Sequence, residues 1–360
     1  MKTYNHLYPH IYDFRNLYAA YHDARRGKRD KKQVFDFEFN AETELPRLQD
    51  ELRTQTYQPG TYTNFRLDDR KRRLISAAPF RDRVVHHALC NVIEPIFERK
   101  FIYDSYANRK GKGTHRALDR AQEFARRYRY VLQSDIVQFF PSIDHAILRD
   151  LLARPLADER TLWLIDQILA SGAYVHVGQY MMQWFPGDDL FAPDRPRGLP
   201  IGNLTSQFWA NVYLNELDQF VKRELKCVAY VRYVDDLLLF ADDKRVLWEW
   251  KTRLAEFLPA LRLVAHPRKT VVYPVADGIP FLGWQIYPTH RRLKRANVRA
   301  FVRRFREQVA ALQRGEMTFD ELTTRTRSWI AHAEHGDTFH LREQLFGAVN
   351  LNPVLESTHA

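Results

Sequence analysis

Between residues 43 and 55 (TELPRLQDELRTQ), and again between 114 and 128 (THRALDRAQEFARRY), apolar residues recur at the spacing of an amphipathic helix. Between these, YQPGTYTNFRL and RKRRLI read as extended segments joined by turns. RYVLQSDIV at 129–137 predicts a strand that ends in an acid. Ser142 is placed to cap a helix over IDHAILRDLLA, and a second helix over about 158–170 stops at Gly172. Residues 173–197 are rich in Gly, Pro and Asp and predict irregular chain. A helix over about 203–224 follows GLPIGN. Two apolar strands, 227–233 and 237–241, flank Val234-Asp235-Asp236. A helix at about 243–258, strands near 261–265, 270–274 and 280–287, and arginine-rich amphipathic helix from 296 to 348 complete the chain. This order predicts an antiparallel sheet covered on one face by helices, an α+β fold rather than a doubly wound one.

Composition narrows the class. The 360 residues are 45% apolar and 13% aromatic, which excludes a disordered or fibrous chain. Cys90 and Cys227 lie too far apart in sequence for a disulfide framework or a Cys-rich zinc site, so a reducing, cytoplasmic setting is expected. Nothing approaches 18 consecutive apolar residues, and MKTYNHLYPH has no apolar signal core; neither membrane insertion nor secretion is expected. The net charge of +11 implies a polyanionic partner, with nucleic acid first and acidic membrane second. Arg25, Arg26, Lys28, Arg29, Lys31 and Lys32 form the densest basic cluster.

Three motifs carry candidate chemistry. CVAYVRYVDDLLLFAD, 227–242, puts two acids where two apolar strands meet. A solvated turn is the cheapest place for charge between buried strands, which explains one aspartate. An adjacent pair repels itself unless a cation sits between the carboxylates. Asp135 ends another apolar strand and supplies a further acid; its plain alternative is an acid complementing the dipole of the next helix. Together these acids suit Mg²⁺, which takes few carboxylates plus substrate phosphates. RGLPIGNLTSQ, 197–207, opens a helix with glycines that let backbone approach a ligand. RKGKGTHRA at 109–117 lacks the spacing of a phosphate loop and is set aside.

In order and spacing these motifs resemble the reverse transcriptases of prokaryotic retroelements, from about residue 12 to 345. DRKRRLISAAPFRDRVVHHAL looks like the fingers segment, SDIVQFF the first palm motif, GLPIGNLTSQ the second and YVDD the third. HPRKT is similar to the lysine-bearing fourth motif and FLGW to the primer grip. The resemblance implies a right-hand polymerase: N-terminal extension and fingers over 1–128, palm over 129–288 with a fingers-side insertion near 172–197, and a helical thumb over 289–360. It implies that Asp135 and Asp235 hold two Mg²⁺ ions, which Mn²⁺ can replace, with Asp236 less direct and the Ile136 carbonyl also facing a metal. Lys71 and Arg73 would grip the triphosphate, and Lys269 would protonate leaving pyrophosphate. Phe140 would exclude a ribose 2′-OH. Ile201, Gly202 and Gln207 would adjoin the incoming dNTP, and Phe281, Leu282, Gly283 and Trp284 would form the primer grip.

The second palm motif reads Ile201…Ser206-Gln207, where group II intron and retroviral-type enzymes usually carry Gln-Gly-x-x-x-Ser-Pro. That variant resembles the enzymes of diversity-generating retroelements, which copy a structured template RNA and misincorporate opposite adenines. The resemblance implies template RNA, nascent cDNA, dNTPs and a small basic helical accessory protein as partners. Compact phage-defence reverse transcriptases that copy a noncoding RNA are the alternative within the family. An inactive reverse-transcriptase fold serving as an RNA-binding scaffold is the alternative of another class; it would need none of the acids or lysines together.

Overall fold

The computed structural model describes residues 2–67, 73–176 and 178–347. Strands β1 (Thr63–Leu67) and β2 (Arg73–Ala77) form a hairpin. Strands β3 (Tyr130–Ser134), β4 (Tyr230–Tyr233), β5 (Asp236–Ala241) and β6 (Val271–Pro274) make a four-stranded antiparallel sheet in the order β4-β5-β3-β6. Strands β7 (Ile279–Phe281), β8 (Trp284–Ile286) and β9 (Arg291–Leu293) form a third sheet. Helices surround the sheets, so the α+β expectation fits.

The central sheet is buried on both faces, not one. Successive side chains of a strand point to opposite sides. On one side, Leu132, Leu237, Leu239 and Tyr230 join a core with the helices Phe80–Glu98 and Leu204–Gln219. On the other, Val131, Val231, Leu238 and Phe240 pack on the helix Thr114–Arg127 and on β7 and β8. The unbroken apolar run Leu237–Phe240 already carries this information, because a half-solvated strand would alternate. A smaller cluster of Phe301, Phe305 and Leu322 joins the helices Arg295–Gln313, Phe319–Ala333 and Phe339–Gly347.

Several local expectations change. Ser142 does not cap the next helix; it ends a short one, Phe139–Ser142, and donates its hydroxyl to the Gln138 carbonyl at 2.8 Å. Asp144 is the cap of His145–Ala153, accepting from the Ile147 N–H at 3.1 Å, as a short carboxylate does well. No strand forms at 261–265. Pro259 sits in a tight turn, Leu258–Leu261, and Arg262 takes a left-handed φ of 50°, so only Ala265 regains pairing, in a single bridge to Ile136. The 280–287 strand splits at Leu282-Gly283 into β7 and β8. The strand expected at 129–137 ends at Ser134, and the helix expected to 224 passes into a π-turn at Phe220–Glu224. The first 55 residues hold four helices, Tyr8–Tyr12, Phe14–Arg25, Lys32–Phe39 and Ala41–Arg53, of which the apolar spacing predicted the last.

Candidate active site and nucleic-acid interface

Register brings the acids to one end of the sheet. β3 and β5 are antiparallel and their pairing ends at Ser134 opposite Leu237, so the next residues outward, Asp135 and Asp236, lie at the same end of the sheet. β4 and β5 close through Tyr233↔Asp236, which leaves Val234-Asp235 as a two-residue corner. Val234 holds φ 55° there, a left-handed conformation that a β-branched residue seldom adopts. Asp135, Asp235 and Asp236 are all half-buried.

What fixes the corner lies beneath it. Arg232 and Asp218 are fully buried and form a two-pronged ion pair, Nε–Oδ1 2.8 Å and Nη2–Oδ2 2.7 Å. The Tyr230 hydroxyl donates to the same carboxylate at 2.9 Å. The free arm of Arg232 donates to the Val234 carbonyl at 3.2 Å and to Asn211 Oδ1 at 3.1 Å. A guanidinium suits this role because its planar fork can serve a carboxylate and a carbonyl together.

Residues 264–270 fold against Asp135. The Asp135 carbonyl accepts from the His266 N–H at 2.7 Å, and the Val137 N–H donates to Val264 O at 2.9 Å. Ser134 Oγ and Thr270 Oγ1 meet at 2.9 Å. The turn delivers Lys269 Nζ to Asp135 Oδ2 at 2.6 Å. The bridge of Ile136 with Ala265 uses the N–H and C=O of its neighbours, so the Ile136 carbonyl is not engaged by this segment. Among the described residues, no three His, Cys, Asp or Glu side chains stand within common reach of one ion.

Phe140 is half-buried in the short helix after Asp135, edge-to-face with Phe139 at 5.4 Å between ring centres. Its carbonyl accepts from the Leu199 N–H at 2.9 Å, tying it to the loop before Leu204–Gln219. That loop is latched to β2: the Ser76 N–H donates to Ile201 O at 3.0 Å, and Asn203 Nδ2 donates to Ser76 O at 3.0 Å. Gly202 has φ 115°, and a Cβ there would press on Ile75 at 3.1 Å. Ile201 and Gln207 are half-buried near this corner. Lys71 and the side chain of Arg73 lie outside the described residues; the Arg73 backbone opens β2 opposite Leu67.

Of the FLGW quartet, Phe281 and Trp284 are core residues paired across the hairpin. Leu282 (φ 44°) and Gly283 (φ 89°) make the corner and are the members that reach solvent. Gly283 O accepts from Lys294 N–H at 3.1 Å and from Asn297 Nδ2 at 2.8 Å, which fastens the corner to the start of Arg295–Gln313.

One basic pocket escaped the sequence. Lys28, Arg83, His86 and His87 meet Gly202, Asn203, Leu204 and Gln207 around about 160 Å³. Asn203 is the N-cap position of Leu204–Gln219, but its side chain makes no cap bond because its amide is committed to β2. The helix therefore presents an uncapped positive end to the pocket. His86 is buried with Nδ1 unpartnered, and burial lowers its pKa to about 3. Burial, then Arg83, lowers Lys28; burial also lowers His87, against Asp23, which raises it. Lys28 belonged to the basic cluster at 25–32, but only the fold brings it to Arg83 and Gly202.

A family model described as reverse transcriptase (RNA-dependent DNA polymerase) matches residues 66–286, well over half of the chain. The chain is 25% identical over 283 residues to Protein YkfC of Escherichia coli, covering 68% of this chain and 71% of that protein. It is 26% identical over 220 residues to the group II intron-encoded protein LtrA of Lactococcus lactis, covering 60% of this chain and about a third, 34%, of LtrA. A distant structural likeness, TM-score 0.42 at 10% identity over 70% of this chain and 51% of the other, is to telomerase from Candida albicans in complex with a telomeric RNA fragment.

Proposed function

The chain belongs to the reverse transcriptase (RNA-dependent DNA polymerase) family, and on that premise we propose how its parts carry out RNA-directed DNA synthesis. The β3–β6 sheet is the core of a palm spanning 129–288, residues 1–128 are the N-terminal extension and fingers, and 289–360 the thumb. The observation that supports this reading is the antiparallel register of β3 and β5, whose last pair, Ser134↔Leu237, leaves Asp135 and Asp236 at the same end of the sheet as the Asp235 corner. These are oxygen donors of the kind a hard divalent cation takes, although the three carboxylates do not converge on one point while Lys269 holds Asp135: Asp135 and Asp235 would hold Mg²⁺, with Asp236 and the Ile136 carbonyl as further donors. Bound, the metal would acidify a primer 3′-hydroxyl and offset charge on departing pyrophosphate.

The chain's own groups do the rest. Lys269 donates a proton to pyrophosphate after leaving Asp135. Lys71 and Arg73 hold the triphosphate, and the Phe140 ring fills the space a ribose 2′-OH would need. The Leu282-Gly283 corner supports the primer end. The pocket of Lys28, Arg83 and the helix N-terminus seats a template phosphate. Primer extension with dNTPs on an RNA template tests the assignment. Asp135→Ala and Asp235→Ala should each abolish extension while RNA binding persists; full extension by either variant would refute it.

Within the family, we propose an enzyme of the diversity-generating kind, working with a structured template RNA and a small basic helical partner. Ile201 and Gln207 support this reading, set at the corner that Phe140 and Asn203 hold in place. A side chain there that cannot hydrogen-bond a nucleotide rejects mispairs weakly, because a wrong pair leaves no buried polar group unsatisfied. Sequencing cDNA made on an adenine-containing template tests it: errors should concentrate opposite adenine and fall in Ile201→Gln. Uniform accuracy would instead favour a faithful enzyme copying a noncoding RNA in phage defence.

A further inference from the structure

Away from the acids, a cavity of about 460 Å³ opens where three elements end together. Its walls are the end of Phe80–Glu98 with the residues just after it, the end of His145–Ala153, and the outer face of Leu204–Gln219. Glu216 on that face lies twelve residues beyond Leu204, roughly 18 Å along the helix from its first residue.

Four cations surround the cavity: Arg99, Lys100, Arg154 and Arg223. Glu216 is the acid among its lining residues, and Arg154 already engages it at 2.9 Å. Burial first, then Arg154, lowers the pKa of Lys100, with Glu216 opposing. An anion entering here would relieve that crowding. The floor is apolar: Phe97, Phe101 and Val212 are buried beneath it. On the wall, Gln219 Nε2 donates to Lys100 O at 3.1 Å and to Asn215 Oδ1 at 3.3 Å, which fixes the orientation of two lining amides and leaves Gln219 Oε1 and Asn215 Nδ2 for a ligand. A cationic rim, an apolar floor and oriented amides match the three parts of a nucleotide: phosphate, base face and base edge.

We propose that this cavity is a second RNA site that seats one unpaired nucleotide, its phosphate among Arg99, Lys100, Arg154 and Arg223 and its base on the Phe97–Phe101 floor. RNA is favoured over a free nucleotide because the cations outnumber what one phosphate needs and can take its chain neighbours. The site anchors a structured RNA to the enzyme while another part of it is copied. It rests on the family's handling of nucleic acid but not on the assignment of the catalytic acids.

The experiment uses the full chain saturated with a primer–template hairpin, to which a short labelled single-stranded RNA carrying 4-thiouridine is added. The RNA should bind and crosslink to residues 97–101 or 212–223. Arg99→Glu/Arg223→Glu should weaken it about tenfold and flatten its salt dependence by about 0.7 logarithmic units for each phosphate left without a cation. Asn215→Trp, which fills the cavity, should do the same to binding. Extension of the hairpin should be unchanged in both. Unchanged RNA binding in the variants overturns the proposal. So does AMP binding as tightly as the RNA, which would make a free nucleotide the occupant. Displacement by polyglutamate as effective as by unlabelled RNA would make it an acidic protein. A wild type that fails to extend the hairpin would refute the catalytic assignment alone and leave this binding result standing.

Discussion

Lys269 Nζ donates to Asp135 Oδ2 across 2.6 Å, although 134 residues separate the two. The ammonium thus occupies the carboxylate that the proposed metal requires. Lysine and a divalent cation are alternatives at this oxygen, and binding one displaces the other.

That competition gives the first prediction. Lys269→Ala should lower the maximal rate of extension by about a hundredfold, the worth of a positioned proton donor. The same variant should reach half-maximal rate at lower Mg²⁺, since no cation holds Asp135. Titrating Mg²⁺ in extension assays reads both numbers. If neither moves, the contact is an incidental surface pair.

Phe140→Ala should admit ribonucleotides. The ring packs edge-to-face on Phe139 at the margin of the main core and is half-buried, so its removal opens space beside the loop. The ratio of dNTP to NTP incorporation should fall by about tenfold or more. A ratio equal to that of the wild type would make Phe140 a packing residue.

Asp218→Asn should destabilise the protein by about 3–5 kcal/mol, because it leaves Arg232 buried without its counter-charge. Replacing both residues with apolar ones should cost less than the single change. Urea unfolding midpoints compare them. Equal midpoints for Asp218→Asn and wild type would mean that water reaches the pair.

Stability should fall as the medium is acidified below about pH 6.5. Burial lowers His86 to about 3, so between its unfolded value and that point the unfolded chain binds a proton which the folded chain refuses. His145 and His176 are lowered in the same direction by burial. Each contributes a slope of up to about 1.4 kcal/mol per pH unit in its window. Urea midpoints between pH 7.5 and 5 should decline, and His86→Asn should make the decline shallower. A flat profile would show that these rings are solvated.

Much of this was legible in the chain. An acid at the end of an apolar strand, and an acid pair between two others, located the sheet end where they meet. The apolar run after Asp236 carries the signal of a sheet covered twice, but counting helices alone as cover predicts one covered face and omits the β7–β8 hairpin. Other features could not be read. Lys28 and His86 lie in different parts of the chain, and their convergence at Gly202 is a property of packing. Phe281 and Trp284 look like exposed binding aromatics, yet pairing across a two-residue corner turns both into the core. Ser142 failed as a cap because Asp144, two residues later, offers the better acceptor.

Val234 stands at the corner between β4 and β5 in a backbone conformation suited to glycine or asparagine. Holding it there costs about 1–2 kcal/mol, which the bond from Arg232 to its carbonyl offsets. Engineering for heat resistance would therefore select Val234→Gly or Val234→Asn, which relax the corner. The same change would let Asp235 wander from its neighbours. At this position thermostability and polymerisation rate should trade against each other, so a screen by melting temperature alone would enrich stable but slow variants.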